Sequence, residues 1–462
     1  MTVSRAAACL MLCLTTFCVR ADVLLTPHPR GLIDVTFSDG LTADLSPFVH
    51  GPKWMGSWCL HGFMVSGTGA DLFRDGQTIL LPVRDTDRKT LEAYGQLKVD
   101  EKDPKALHFL YRFTAPEATR LNSAEVQLRL PVAGWAGQPL AAIEGPDCAG
   151  SLSKEPPNPG YLLNGQARGV LLGVGTPHEV WIELDAPHWC LVNDERAWNK
   201  RNDYYTVQLA ALVAGEGTVL DAGQKVEITG TLHFAEPIKI AELPPIVPQL
   251  KDAAGWKAAV KALGLGIEDA AGAQVVGISM VNETAGGDMN FEPPLQMRGA
   301  EDEPGAVDVT GQIFGDPDHK TRLSVVRRIT VPGEREMQVS EQVTAAGAIE
   351  TRGVDTQLKL PRPLFDGCTV TFLNQGRPSV VLRDYGRKTQ GFARALAPGI
   401  RIDAGGKTLF TLTCKPDTCW DVWMTPDAFY IFAGLLDPLA AMPLTLPNAT
   451  TLHQDLTIHW GE

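Results

Sequence analysis

An internal duplication is the sequence feature that most constrains the fold. Four short segments recur in the same order after an interval of about 230 residues. The paired segments begin at Gly31 and Gly264, at Val126 and Thr356, at Val180 and Leu409, and at Ile228 and Gln454. Any two β-rich segments can look alike, but four matches in one order favour a true duplication. Because self-similarity at a fixed interval marks repeated structural units, the sequence predicts two homologous domains.

The segments between turn residues alternate apolar and polar side chains, which is the pattern of β-strands. Residues 126–130 and 180–184 alternate in this way, and each run stops close to a proline. The 45 Gly and 33 Pro fit many short strands separated by turns. The main exception is 252–263, where apolar residues recur at the spacing of a short helix. We therefore predict an all-β fold of two tandem antiparallel β-sandwiches of the supersandwich kind.

The duplication also sets the domain boundaries. The first domain is predicted at 22–236, a linker with the short helix at 237–262, and the second domain at 263–462. The linker is rich in proline, which favours an extended and stiff chain. Its prolines are Pro237, Pro244, Pro245 and Pro248. Two sandwiches joined in this way should pack side by side, and the groove between them is a natural ligand site.

Residues 1–21 have the layout of a secretory signal peptide. Arg5 precedes an apolar run that is too short to span a membrane, and Ala21 ends a small-residue cleavage site. No later segment is apolar and long enough for a membrane span. The sequence thus predicts a secreted or periplasmic protein, cleaved near Ala21.

Six cysteines lie beyond the predicted signal peptide, and an even number in an exported chain permits disulfides. They are Cys59, Cys148, Cys190, Cys368, Cys414 and Cys419. Cys414 and Cys419 form the one local pair, which a Pro-Asp turn could bring together. Buried thiols are the alternative interpretation, and the spacing is not that of a redox or zinc motif.

Charge and missing motifs exclude several classes of function. The formal net charge is −13, which argues against a nucleic-acid partner because phosphate binding needs concentrated Lys and Arg. The sequence contains no phosphate-binding loop, dinucleotide fingerprint, nucleophile elbow or zinc-binding helix motif. We accordingly expect neither a metal nor a cofactor.

One candidate site follows the third duplicated segment. Trp189, Asp194, Glu195, Arg196 and Trp198 lie there in the first repeat, and the second repeat lacks the Asp-Glu-Arg run. A residue that the fold requires should survive in both copies, whereas a site needs to survive in only one. We predict that the two carboxylates are catalytic and that the arginine and both tryptophans bind substrate. A charged surface hairpin with one core tryptophan is the alternative.

A second candidate region follows the opening strands of each repeat, in irregular Gly-rich segments. Loops on rigid β scaffolds often carry binding functions. Trp54 and Trp58 are predicted to stack on sugar rings or, alternatively, to plug the open end of a sandwich. Glu283 and Asp288 lie in the matching region of the second repeat and are further catalytic candidates. Glycoside hydrolysis needs two carboxyl groups, although the sequence leaves their pairing open.

Three stretches, 128–131, 193–196 and 220–232, carry a family resemblance. They resemble large β-sandwich domains of bacterial secreted carbohydrate-active proteins, including the galactose-mutarotase-like type. The resemblance implies a carbohydrate partner and no particular reaction. Together with the candidate residues, it favours a glycoside hydrolase or lyase that acts on a poly- or oligosaccharide. A non-catalytic glycan-binding protein and a structural or interaction protein of the cell envelope are the alternatives.

Overall fold

Two large β-sheets make up almost all of the ordered secondary structure. The computed structural model describes residues 22–84, 86, 88–250, 252–261, 264–284, 289–291, 296–299, 306–315, 321–385, 391–440 and 443–461. Within these ranges one sheet has 15 strands and the other has 16. The predicted signal peptide lies outside the described residues. No helix in the described ranges combines the length and the apolar character of a membrane span.

The first sheet belongs to the first repeat. Its strands are β1 Val23–Pro27, β2 Ile33–Thr36, β3 Thr42–His50, β4 Gly56–Trp58, β5 Phe63–Ser66, β6 Gln77–Pro82, β7 Thr90–Val99, β8 Ala106–Thr114, β9 Thr119–Pro131, β10 Leu140–Ile143, β11 Tyr161–Leu172, β12 Val180–Asp194, β13 Tyr204–Leu220, β14 Lys225–Phe234 and β15 Ile238–Ile240. Their order is β15-β1-β2-β3-β9-β13-β12-β14-β8-β7-β6-β5, with β11 and β10 beside β12 and β4 beside β3. The pairing of β1 with β15 is parallel, whereas the other strand pairs within the described residues are antiparallel.

The second sheet belongs to the second repeat. Its strands are β16 Lys257–Lys261, β17 Gly264–Glu268, β18 Gln274–Thr284, β19 Met289–Phe291, β20 Gln296–Gly299, β21 Val307–Phe314, β22 Arg322–Gly333, β23 Glu336–Ala346, β24 Ile349–Pro361, β25 Thr369–Phe372, β26 Ser379–Val381, β27 Gly391–Ala404, β28 Lys407–Met424, β29 Ala428–Gly434, β30 Leu444–Leu446 and β31 Thr451–Trp460. Their main path is β16-β17-β18-β24-β29-β28-β31-β23-β22-β21-β20, and β27 pairs with β28.

Helical structure in the described part of the chain is confined to single turns. One α-helical turn follows the equivalent central strand of each repeat, α1 at Val132–Trp135 after β9 and α2 at Arg362–Phe365 after β24. The 3₁₀ turns lie at Pro52–Trp54, Cys59–His61, Gly69–Phe73 and Glu195–Ala197. The all-β prediction is therefore confirmed.

The two sheets repeat one strand order, as the duplication predicts. The run β3-β9-β13-β12-β14-β8-β7 of the first sheet corresponds to β18-β24-β29-β28-β31-β23-β22 of the second. Leu128 of β9 pairs with Leu45 on one side and Val207 on the other. Leu358 of β24 pairs with Ile278 and Ile431 in the same way. Leu128 and Leu358 thus hold equivalent positions.

Alternation along the central strands gives each repeat one apolar and one polar face. Val126, Leu128 and Leu130 of β9 are buried in the apolar core of the first repeat. Because successive residues of a strand point to opposite faces, Glu125 and Gln127 lie on the other side. We call the side that carries Glu125 the polar face of the first repeat. The polar face of the second repeat carries Asp355 and Gln357, which are equivalent to Glu125 and Gln127.

The short helix predicted over 252–263 is wrong for the part of that segment that the structure describes. Gly255 adopts a positive φ of 76°, and the chain then continues as β16. This strand pairs along its length with β17, and Trp256 and Ala259 are buried. Pairing with β17 provides hydrogen-bond partners for the backbone of this segment. A helix of the same length would be only marginally stable on its own.

The predicted disulfides are absent among the six cysteines beyond the predicted signal peptide, which are all free thiols in the described structure. Cys414 pairs with Leu456 of β31, whereas Cys419 pairs with Leu396 of β27. The sulfur of Cys419 accepts a hydrogen bond from Arg394 Nε at 3.1 Å. The two thiols of the local pair therefore face different neighbours.

Candidate active site at the junction of the repeats

A cavity of about 630 Å³ lies where the two repeats meet. The first repeat contributes the segments that follow β3, β4 and β6, and the second repeat contributes its polar face and the segment that follows β29. The charged and polar side chains of the lining belong to Lys53, His61, Arg84, Thr86, Glu283, Arg352, Asp355, Arg394, Cys419 and Asp421. Its main apolar side chains belong to Met55, Val83, Trp423, Phe432, Leu436 and Leu439.

Arg30 of the first repeat ties the two sheets together beside this cavity. Its side chain is almost fully buried and forms an ion pair with Asp421 of β28. The guanidinium also donates to the backbone oxygen of Leu60 and, at 3.3 Å, to that of Ala393. One desolvated cation thus has partners in both repeats, which is the condition for a buried charge to be tolerated.

A second contact brings the two backbones close together. A Cβ at Gly376 would lie 1.7 Å from the backbone oxygen of Val65, so glycine is the residue that permits this approach. Nearby, Asn374 Nδ2 donates to the backbone oxygen of Met64 at 3.3 Å. These contacts restrict the angle between the repeats and hence the shape of the cavity.

Two carboxyl groups with raised pKa values face the cavity. Glu283 of β18 lies opposite Gly353 of β24, and Asp355 lies opposite Val281, so the two acids are diagonal neighbours. Burial raises the pKa of Asp355 to about 7, helped by the negative charges of Asp421 and Glu283 and opposed by Arg394. Burial likewise raises the pKa of Glu283, while Arg352 and Arg394 oppose the shift.

Glycines on both sides leave room for the Asp355 carboxyl group. A Cβ at Gly434, its partner on β29, would lie 3.2 Å from Asp355 Oδ1. A Cβ at Gly353 would lie 2.7 Å from Oδ2. Side chains at these two positions would crowd the carboxyl group or force it to move.

Three arginines add positive charge to the cavity wall. Arg394 Nε lies 3.8 Å from Asp421 Oδ2 and donates to the sulfur of Cys419. Arg84 extends from the first repeat and Arg352 from the second. Burial lowers the pKa of Arg84, and the positive charge of Arg352 lowers it further.

His61 is a neutral hydrogen-bond donor in this setting. The backbone N–H of Trp58 donates to Nδ1 at 3.2 Å, which assigns the ring proton to Nε2. Burial, followed by the charges of Arg84, Arg394 and other arginines, lowers the pKa of His61 to about 3. The imidazole therefore stays uncharged at neutral pH.

Two aromatic rings form an apolar part of the wall. Trp423 of β28 and Phe432 of β29 pack edge to face, with ring centroids 5.8 Å apart and an interplanar angle of 73°. Aromatic surfaces beside a few oriented polar groups are typical of small-molecule sites.

Asp194 and Arg196, two of the residues predicted from sequence, bind each other away from this cavity. The Asp194 side chain is fully buried and accepts from Arg196 Nη2 at 2.7 Å and from Ser153 Oγ at 2.8 Å. Burial would raise the pKa of Asp194, but the hydrogen bonds from Arg196 and Ser153 lower it. Arg196 also donates to the backbone oxygens of Ser153 and Lys154. These contacts favour a structural role, in which the pair fastens a loop to the end of β12.

Glu195 and Trp58 lie on the polar face of the first repeat. Glu195 Oε1 accepts from Thr206 Oγ1 at 2.7 Å, and burial raises its pKa against the charge of Arg129. The Trp58 indole donates to Ser46 Oγ at 2.8 Å, and the Arg129 guanidinium lies 3.8 Å from the centroid of the Trp58 ring. The structure thus places Glu195 and Trp58 around one arginine.

The remaining predicted tryptophans are exposed at separate places. Trp54 contacts His50 with ring centroids 5.4 Å apart, and Trp198 contacts Tyr161 at the same centroid distance. Trp189 is 38% exposed. These rings do not line the junction cavity.

Of the predicted catalytic carboxylates, Glu283 lines the junction cavity, and Asp288 lies outside the described residues. The sequence reasoning missed Asp355, Arg394 and Asp421. A signal for Asp355 was present in the duplication, because Glu125 precedes the first copy of its motif as Asp355 precedes the second. Within the described ranges, no group of three or more His, Cys, Asp and Glu is arranged to hold a metal ion.

Comparisons with known proteins give little beyond this geometry. No protein-family model matches the chain, and no curated protein matches it either. Among solved structures, the chain is similar to a galactose mutarotase related enzyme from Lactobacillus acidophilus, with a TM-score of 0.32 and 7% sequence identity. That alignment covers 47% of this chain and 98% of the other.

Proposed function

We propose that this protein is a carbohydrate-active enzyme of the glycoside hydrolase type and that the junction cavity is its active site. The observation that carries the proposal is the pair of carboxyl groups, Asp355 and Glu283, with raised pKa values on one cavity wall. Hydrolysis of a glycosidic bond commonly uses two carboxyl groups with different protonation states. The rings of Trp423 and Phe432 would pack against the apolar face of a sugar.

In this proposal Asp355 is the general acid and Glu283 the general base. With a pKa of about 7, Asp355 retains a proton near neutral pH and transfers it to the leaving-group oxygen as the glycosidic C–O bond breaks. Glu283 accepts a proton from the water molecule that forms the new C–O bond. Transfer of that proton back to Asp355 restores the starting state.

A non-catalytic glycan-binding protein is the second candidate function. The observation that favours it is the exposure of Trp54 and Trp198, which are 49% and 55% accessible. Exposed aromatic side chains can stack on sugars without any reaction. Under either function, the predicted signal peptide leads us to propose that the protein acts outside the cytoplasm.

Product release from a panel of polysaccharides tests the enzymatic proposal. Asp355→Asn and Glu283→Gln should each lower turnover by about 100-fold or more, because each removes one proton-transfer group. Glu350→Gln is the matched control, since Glu350 is an exposed carboxylate on the same strand, β24. Wild-type turnover in either active-site variant would overturn the proposal. So would retention of the wild-type protein on a polymer from which it releases no product, a result that supports the second candidate.

A further inference from the structure

Arg84 and Arg352 face the junction cavity from different repeats. Arg84 follows β6, and Arg352 lies on β24. The positive charge of Arg352 lowers the pKa of Arg84, so the two guanidinium groups are close enough to repel each other. Among the residues that the structure describes, neither side chain has a carboxylate within ion-pair distance.

The other two arginines at this junction, Arg30 and Arg394, have hydrogen-bond or charge partners within the protein. Arg30 forms an ion pair with Asp421 and donates to backbone oxygens. Arg394 donates to the sulfur of Cys419 and lies 3.8 Å from Asp421. These arginines have neighbours within the protein that explain their positions. Arg84 and Arg352 form no ion pair among the described residues and are exposed at the cavity wall, so both guanidinium groups are accessible to a ligand.

An anion is the ligand chemistry that this pair fits. A guanidinium group presents paired N–H donors that match the oxygens of a carboxylate or a sulfate. An anion between the two arginines would offset their mutual repulsion, whereas a neutral sugar would offer hydroxyl groups as hydrogen-bond acceptors but no balancing charge. The formal net charge of the chain is −13, so a positive patch here is a local feature rather than a reflection of composition.

The surroundings indicate that the anion belongs to a sugar. Arg352 acts electrostatically on Glu283, the proposed general base, and Trp423 and Phe432 lie on the same cavity wall. His61 adds a neutral N–H donor, which suits a hydroxyl group. We propose that the junction cavity selects a glycan whose sugar carries a carboxylate or a sulfate ester and that Arg84 and Arg352 bind this anionic group. The inference rests on the proposed function, because it assumes that a glycan occupies the cavity.

Calorimetric titration with three matched ligand sets tests the inference. The probes are neutral oligosaccharides, uronic-acid oligosaccharides and sulfated oligosaccharides, each from several backbone sugars. We expect the wild-type protein to bind members of at least one acidic set at least tenfold more tightly than the neutral set. The Arg84→Gln/Arg352→Gln variant should lose about tenfold or more of that affinity. Added salt should weaken the binding of acidic oligosaccharides to the wild-type protein.

Arg112→Gln is the control variant, because Arg112 is a half-buried arginine that pairs with Glu227 on the first sheet, outside the junction cavity. The single variants Arg84→Gln and Arg352→Gln replace the double variant if it does not fold. Binding of uronic-acid or of sulfated oligosaccharides identifies which anion is used, and either result supports the inference. Equal binding of neutral and acidic sets, no acidic binding at all, or unchanged acidic binding in the folded arginine variants would each overturn it.

Asp355→Asn separates this inference from the proposed function. If Asp355→Asn loses turnover but still binds acidic oligosaccharides, the result supports both the proposed function and the inference about the ligand. If Asp355→Asn still turns over substrate while the arginine variants lose acidic binding, the assignment of the general acid fails and the ligand class stands. If Asp355→Asn loses turnover but the wild-type protein prefers neutral glycans, the assignment of the general acid stands and the proposed ligand class fails.

Discussion

The polar faces of the two repeats carry matching residues in different surroundings. Ser46 and Gln127 are cross-strand partners in the first repeat, and Ser279 and Gln357 are partners in the second. Glu125 is equivalent to Asp355, and each lies two residues before one of these glutamines. In the first repeat Glu125 is buried, whereas Asp355 faces the junction cavity.

The segments that cover the two faces explain this difference. In the first repeat, β4 pairs with β3 and places Trp58 against Ser46 and Arg129. Gln127 Nε2 donates to Glu125 Oε1 at 2.6 Å, so these two polar residues bind each other within the first repeat. In the second repeat, segments of the first repeat and the segment after β29 approach the polar face and leave the junction cavity beside it. The same set of duplicated polar residues is therefore part of the packed structure in the first repeat and part of a candidate site in the second.

The largest expected effect is the pH dependence of turnover and stability that Asp355 confers, and it tests whether the two polar faces differ in function. Turnover should fall about tenfold per pH unit above pH 7, because Asp355, with a pKa of about 7, loses the proton that it donates. The same ionisation lowers stability. The pKa of Asp355 rises from 3.8 to about 7 on folding, so stability that is fully present below pH 3.8 is lost as the pH rises towards 7. The loss is at most about 4 kcal/mol.

Two measurements check this prediction, a pH–rate profile and urea unfolding of the wild type and Asp355→Asn at pH 5 and pH 8. The variant should gain stability relative to the wild type between those two pH values, since it lacks the ionising group. Glu350→Gln, on the same strand, should show no such gain. A pH–rate profile that stays flat through pH 7 to 9 would show that Asp355 is not the acid.

The Asp194–Arg196 pair gives the next largest effect. Arg196→Ala should lower the free energy of unfolding by about 3 kcal/mol, because Asp194 remains fully buried without its cation. Turnover of the folded variant should be unchanged. Urea unfolding and polysaccharide turnover measure both effects, with Arg201→Ala, an exposed arginine of the same loop, as the control. A tenfold loss of turnover in well-folded Arg196→Ala would instead move the site to the first repeat, as the sequence analysis predicts.

The sequence predicted the architecture well because the relevant signals are local. Alternation along residues 126–130 and its recurrence in the second repeat required no knowledge of contacts between distant segments. The helix predicted over 252–263 failed because pairing with β17 outweighed the apolar spacing. The junction cavity joins Arg84 to Asp355, and no local pattern relates loops of one repeat to the sheet face of the other. Asymmetry between the repeats pointed to Asp194, but a residue present in one copy can also fasten a loop found in that copy.

Glu125→Gln tests the comparison directly, at the position equivalent to Asp355. The side chain accepts from Gln127 and lies 3.5 Å from His50 Nδ1. Its replacement should lower the free energy of unfolding by about 1–2 kcal/mol, because a buried hydrogen-bonding group is altered. Turnover should stay at the wild-type level, since Glu125 lies outside the junction cavity. A loss of turnover comparable to that of Asp355→Asn would mean that both polar faces take part in catalysis.

The smallest stability effect is expected for Trp198→Ala, and its value lies in a contrast with Trp423. Trp198 is 55% exposed and contacts the Tyr161 ring, so its removal should lower the free energy of unfolding by about 1 kcal/mol or less. Glycan binding should not change, because this ring lies outside the junction cavity. Trp423→Leu removes a cavity ring while keeping an apolar side chain, and it should weaken glycan binding about tenfold. Titration of both variants, with melting temperature as the folding control, decides between the two regions. Weaker binding in Trp198→Ala and unchanged binding in folded Trp423→Leu would place the glycan on the exposed tryptophans of the first repeat and leave the junction cavity without its proposed ligand.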